Sequence, residues 1–181
     1  MKKRNISLRT LVTLAVFVAA NIILTRIFVL YITDFVRLDL GNVPLILAGL
    51  YFGPAAGALT GAASDLLGVM LSGRGWYPPL TVGPILMGLL PGLLRIGLRA
   101  KKNTPFPEQG AKKVRLFGKL FGIIALSELL AAILWKTYWL SVLYGMSYSV
   151  CLAARVPAIL ALLVVESILI YILYKRIPRT F

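Results

Sequence analysis

The sequence predicts an all-α integral membrane protein in which six helices form a single bundle. Hydrophobic residues make up 59% of its 181 residues, and the mean hydropathy is +0.87. An average soluble domain is only about half apolar, so this composition is typical of a membrane protein. At about 20 residues per span, a chain of this length holds about six spans and leaves no room for a separate soluble domain.

The positions of the charges predict the orientation of the bundle. The net charge is +14, and fifteen of the 20 lysines and arginines fall in three clusters, at the start of the chain, at 95–119 and at 175–179. Each cluster flanks apolar segments, which is the pattern of cytoplasmic loops, and basic loops lie near anionic lipid. The sequence therefore predicts that both termini are cytoplasmic, and it argues against a nucleic-acid partner.

The residues that most catalytic and metal sites use are missing. The chain has no histidine and one cysteine, Cys151, which excludes an internal disulfide and makes a histidine metal site untenable. It also lacks a P-loop, a serine nucleophile motif and an HExxH helix. We expect no catalytic residues, no metal and no cofactor, so any ATP hydrolysis would be the task of a partner.

The first helix is predicted at about 6–27, with Ser7 as its N-cap. Its basic start and apolar run lack a cleavage site, which favours an uncleaved helix over a signal peptide. Ala15 and Ala19 lie one turn apart, a spacing that allows another helix to approach closely, either within the bundle or from a partner.

Residues 28–40 combine β-branched, aromatic and alternating charged residues. This pattern favours an extended loop or a short hairpin on the outer face, acting either as a lid or as an ordinary interfacial loop. After it, Pro44 starts a short helix, Gly53-Pro54 makes a turn, and a basic loop at 99–115 separates the two halves of the chain. The later helices are predicted at about 43–53, 54–72, 79–98, 116–138 and 148–174.

Several charged residues fall within the predicted membrane-spanning segments. Exposing one charged side chain to lipid at the bilayer centre costs about 3 kcal/mol. They must therefore face protein or water. Five are within apolar segments: Asp65, Glu128, Lys136, Arg155 and Glu166.

The cations outside the three basic clusters all fall on the outer half, against the positive-inside rule, and this favours an outward-facing pocket for an anion. They are Arg26, Arg37, Arg74, Lys136 and Arg155. Structural alternatives stay open: Arg155 pairing with Glu128, Lys136 reaching the interface, or Arg74 capping a loop. Asp65 and Glu166 have the alternative of a purely structural hydrogen bond.

Aromatic residues share the outer half. Trp76 and Tyr77 are next to Arg74 and follow the helix that carries Asp65. They either belong to an interfacial aromatic belt or stack on a flat ligand ring whose N–H donors a carboxylate accepts.

Three segments resemble the substrate-binding S components of energy-coupling factor (ECF) vitamin transporters, and the folate-specific ones in particular. They are GNVPLILAGLYFGPAAGALTGAASDLLG at the second and third helices, GRGWYPPLT entering the fourth, and YSVCLAARVP opening the sixth. The resemblance covers essentially the whole chain. It implies a vitamin-binding subunit of the bacterial cell membrane that is not an enzyme.

The resemblance also implies partners and site residues. The partners are a membrane coupling protein, contacted by Ala15 and Ala19, and two cytoplasmic ATPase subunits. For folate, the pterin ring would be held by Asp65, Trp76 and Tyr77, and the glutamate tail by Arg26, Arg74, Lys136 and Arg155. The alternatives are an S component for riboflavin or pantothenate, a small membrane enzyme acting on lipid headgroups, and a structural membrane protein.

Overall fold

The computed structural model describes residues 8–33, 36–73, 75–99 and 110–176. Apart from one small hairpin, the described elements are helical. The helices are α1 (Leu8–Arg26), α2 (Asn42–Phe52), α3 (Pro54–Ser72), α4 (Pro78–Arg99), α5 (Gly110–Glu128), α6 (Thr137–Tyr144) and α7 (Tyr148–Arg176). Ser7, the predicted N-cap, and Arg74 lie outside the described residues.

Four helical stretches are long and apolar enough to cross a membrane. They are α1, α3, the continuous stretch Leu116–Tyr144 and α7. The faces of α1 and α3 that point away from the bundle are covered by exposed leucine, valine and methionine side chains, including Val12, Val16, Leu59 and Met70. Such faces are suited to lipid rather than to water.

Helices α5 and α6 are joined by a π-helical segment, Leu129–Lys136, so that one helix continues to Tyr144. The helix therefore runs six residues beyond the end near residue 138 that the sequence predicts. Nothing between Trp139 and Tyr144 breaks a helix. The helix ends at Gly145, whose φ of 63° suits glycine and whose N–H bonds the carbonyls of Ser141 and Val142.

The connection between α1 and α2 is an antiparallel hairpin of β1 (Val29–Tyr31) and β2 (Arg37–Asp39). This agrees with the short hairpin expected for 28–40. Leu30 and Ile32 are 71% and 60% exposed, whereas β2 is half-buried and contacts α7. The hairpin therefore turns one strand towards the bundle and leaves apolar side chains at its surface.

Helix α2 is the core of the fold, since every residue of Val43–Leu50 is buried. Helices α3 and α4 pack against it and against each other through glycines. A Cβ at Gly88 would overlap the backbone carbonyl of Gly57, and one at Gly49 would overlap the carbonyl of Gly88. These three helices consequently approach at backbone distance, as small residues allow in membrane bundles.

Candidate ligand-binding site

Buried and half-buried polar residues gather where the N-terminus of α2 meets the α5–α6 helix and α7. We call this group the polar cluster, and its members are Asn42, Glu128, Lys136, Thr137, Arg155 and Glu166. Glu128 is 3% exposed, Arg155 7%, and both Thr137 and Glu166 0%. Ionisable groups buried among membrane helices are costly and mark functional sites by default.

One end of the polar cluster is acidic. Asn42 Nδ2 donates a hydrogen bond of 2.8 Å to Glu128 Oε1. Glu166 lies close to both residues, yet neither of its carboxylate oxygens has a hydrogen-bond partner within the described part of the chain. Because buried polar atoms are normally hydrogen-bonded, these acceptors are available for the N–H groups of a ligand.

The other end is basic. Arg155 Nη1 donates to Thr137 Oγ1 at 2.7 Å and to the carbonyl oxygen of Ala132 at 3.5 Å. A guanidinium has five N–H donors, so Arg155 retains donors for an anionic ligand group. Lys136, whose stem passes beside Gly83 of α4, lies within electrostatic reach of Arg155 and Glu128.

The hairpin adds an ion pair at the edge of the cluster. Arg37 Nε and Asp39 Oδ2 are 3.1 Å apart, and Asp39 Oδ1 accepts a hydrogen bond from the Gly41 N–H at 3.1 Å. Both side chains lie within electrostatic reach of the Lys136 ammonium group. The site thus has acceptors and cations side by side, with β2 next to both.

Of the predicted site residues, the structure brings Lys136 and Arg155 together. Arg26 lies elsewhere: its guanidinium packs on Gly68 of α3, where an added Cβ would be 3.0 Å from Nη2. Gly68 is three residues beyond Asp65, which is half-buried on the same helix. We call Arg26 and Asp65 the α1–α3 position, and both come from helices that contribute no residue to the polar cluster.

The predicted aromatic residues have their own contacts. Trp76 is 56% exposed and its Nε1 donates to Thr81 Oγ1 at 3.0 Å. Tyr77 packs edge-on against Trp139, with ring centroids 6.2 Å apart. Trp139 also lines an apolar groove of about 490 Å³ whose lining has no charged residue. The groove therefore does not supply the polar contacts that the cluster offers.

The two alanines of the predicted partner contact, Ala15 and Ala19, are both exposed on α1. Their side of the helix is therefore open to lipid or to another protein.

Sequence reasoning missed Asn42 and Thr137 as site residues. The sequence identifies Glu128 and Glu166 as intramembrane acids and predicts that they face protein or water rather than lipid. It does not predict that they lie close to one another. Asn42 is the first residue of α2, where a small polar residue suggests a cap. Thr137 gave no signal, because a hydroxyl in a membrane helix is usually satisfied by its own backbone.

Comparison with known proteins shows the family. The sequence model of the family described as "ECF-type riboflavin transporter, S component" matches residues 5–179. The curated "Folate transporter FolT" of Clostridium novyi (strain NT) is 26% identical over 180 residues, which cover 99% of this chain and 93% of that protein.

Two solved structures have a similar fold. The chain in "Crystal structure of FolT bound with folic acid" is 20% identical, with a TM-score of 0.75 and coverage of 95% of this chain and 96% of that one. The chain in "Structure and mechanism of the S component of a bacterial ECF transporter" is 26% identical, with a TM-score of 0.62 and coverage of 93% and 94%. Because the family model spans nearly the whole sequence, this chain belongs to the ECF-type riboflavin transporter S components, which are integral proteins of the bacterial plasma membrane.

Proposed function

We propose that this protein is the folate-binding S component of an ECF-type vitamin uptake transporter and binds its substrate in a pocket that opens to the outside. The observation that carries the proposal is the polar cluster, in which two buried carboxylates lie beside a buried arginine and a half-buried lysine. The resemblance to the folate transporter of Clostridium novyi supports the choice of vitamin.

Folate has the groups that such a cluster complements. Its pterin ring presents an edge of N–H donors, which Glu128, Glu166 and the amide of Asn42 would bind. Its glutamate tail carries two carboxylates, which Lys136 and Arg155 would bind.

The α1–α3 position would form a second wall of the same pocket, with Arg26 bound to the tail and Asp65 to the ring. Arg74, Trp76 and Tyr77 would close the outer mouth by a further charge and by stacking. These five assignments are supported by the prediction that all five residues lie on the outer side of the membrane and by the family resemblance.

We further propose that α2 and α4 complete a six-helix bundle with the four long apolar stretches. The basic residues at 1–9, 95–119 and 175–179 would then lie in the cytoplasm together with both termini. The hairpin would lie on the opposite, outer side, next to the pocket.

Transport would need partners, because an S component binds the vitamin and does not hydrolyse ATP. We propose a membrane coupling protein and two cytoplasmic ATPase subunits. Ala15 and Ala19 would contact the coupling protein, since they are exposed and allow close helix packing.

Riboflavin is the second candidate, and the description of the matching family favours it. Riboflavin carries no carboxylate, so a riboflavin site has no need of two neighbouring cations. The basic end of the polar cluster therefore favours folate.

Equilibrium binding to the purified protein tests the proposal. Folate, riboflavin and pantothenate would each be titrated in detergent and followed by calorimetry. We expect tight, stoichiometric binding of folate alone. Tight binding of riboflavin or pantothenate, with no heat from folate, would refute the folate assignment and leave the membership of the family unchanged.

A further inference from the structure

The π-helical segment between α5 and α6 spans eight residues, Leu129–Lys136. Most π-helical geometry in proteins is confined to single-turn bulges, and these are frequent at functional sites. The segment begins directly after Glu128 and ends at Lys136, directly before Thr137, so it connects the acidic and basic ends of the polar cluster.

This geometry changes which residues face the bundle. Glu128 and Thr137 are nine residues apart, which is about two and a half turns at about 3.6 residues per turn and would put them on opposite faces of an α-helix. Both are buried here, at 3% and 0% exposure. The wider π winding takes more residues per turn and brings the Thr137 hydroxyl to the same side as the Glu128 carboxylate.

The hydroxyl of Thr137 is held in one orientation. Its oxygen accepts the bond from Arg155 Nη1 at 2.7 Å, and its single proton goes to the carbonyl of Ala132 at 2.9 Å. A guanidinium has no acceptor, so the proton of the hydroxyl cannot turn towards Arg155. Since Arg155 comes from α7 and Thr137 from the neighbouring helix, this bond fixes the direction of the guanidinium relative to the rest of the cluster.

We propose that Thr137 is a positioning residue that sets the selectivity of the site for carboxylate-bearing ligands. It aims the Arg155 guanidinium at the ligand's anionic group, and the π-helical segment places it where it can do so. This inference rests on the proposed function, because it assigns the basic end of the same pocket to the ligand's tail.

The test compares two ligands that differ in the charge of the tail and in two methyl groups. Folate and its dimethyl ester share the ring and the tail, but the ester has no ionised carboxylate. Thr137→Val keeps the side-chain volume and removes the acceptor, and we expect it to weaken folate binding by roughly 10- to 100-fold while changing ester binding by less than about threefold. Thr137→Ser retains the hydroxyl and should restore the parent ratio of the two affinities.

A matched control is available on α3. Thr60 is also buried, at 2% exposure, and its hydroxyl donates to a backbone carbonyl, that of Ala56, at 2.8 Å. Thr60→Val should leave the affinity ratio of folate to the ester unchanged. An equal loss for both ligands in Thr137→Val would mean that Thr137 only supports the fold, and no loss for either would also overturn the proposal.

A measurement without ligand separates this inference from the proposed function. Thermal unfolding of the parent, Thr137→Val, Arg155→Met and the double variant gives the coupling between the two side chains. If the parent binds no folate, the folate proposal fails. The inference is then judged by this coupling alone: a favourable coupling supports it, and additive effects of the two substitutions overturn it.

Discussion

Glu128→Gln removes the charge from the acidic end of the polar cluster and changes little else. The introduced glutamine has the same shape as the glutamate, and its amide oxygen can keep the 2.8 Å bond from Asn42. What is lost is one charged acceptor for the N–H edge of the ligand. A hydrogen bond to a charged group is worth about 1.5–3 kcal/mol, so we expect folate to bind roughly 10- to 150-fold more weakly.

The unliganded protein should tolerate this change. The carboxylates of Glu128 and Glu166 are buried next to each other, and removing one charge relieves their repulsion and its desolvation cost. We therefore expect a melting temperature equal to that of the parent or higher. Weaker binding together with unchanged stability identifies a ligand contact, whereas weaker binding with a lower melting temperature indicates loss of the fold.

Calorimetric titration in detergent measures the affinity, with Glu108→Gln, in the basic stretch 95–119 of the sequence, as the matched control. Asp65→Asn tests the other acceptor that is proposed for the pterin ring, the one on α3. An unchanged affinity in Glu128→Gln, combined with a large loss in Asp65→Asn, would refute the role of the cluster and place the ring on α3.

Three further predictions concern the packing, the partner surface and the basic end. Gly88→Ala should lower the melting temperature by the equivalent of about 1–3 kcal/mol, because its Cβ meets a backbone carbonyl of α3, whereas Gly122→Ala, with open space around it, should not. Ala19→Trp should abolish copurification of coexpressed ATPase subunits without altering folate affinity, and Ile168→Trp, on an exposed position of α7, should leave both intact. Lys136→Met should weaken folate binding at least about tenfold and reduce its dependence on ionic strength in parallel titrations, while an unchanged salt dependence would exclude a charge contact.

Local rules are sufficient for much of the fold. Pro54 at the first turn of α3 and the short apolar run before Gly53 fix the α2–α3 corner, and both are readable from residue types alone. The hairpin follows from the β-branched and charged pattern of 28–40. These features depend on neighbours in the chain, which is why the sequence predicts them.

The arrangement of the site depends instead on geometry that helical periodicity does not contain. The sequence assigns Lys136 and Arg155 to the same half of the membrane, and the structure brings them together. A helix with about 3.6 residues per turn throughout would put Thr137 on the face opposite Glu128. Likewise, Asp65 and Glu128 are equivalent as intramembrane acids until the packing of α2 brings Asn42 to Glu128. A contact between two helices cannot be predicted from the residue pattern of either helix alone.

The length of α2 explains why a polar cluster can exist inside this bundle. Its 11 residues rise only about 16 Å, roughly half of a 30 Å hydrocarbon layer. A full-length helix at this central position would also fill the half of the bundle beyond Asn42 with apolar side chains. Because α2 instead begins at Asn42, the space beyond its N-terminus belongs to the hairpin and to the charged residues of α5–α7. The buried run Val43–Leu50 then holds Asn42 on a rigid element, which is the condition for an accurately placed binding group.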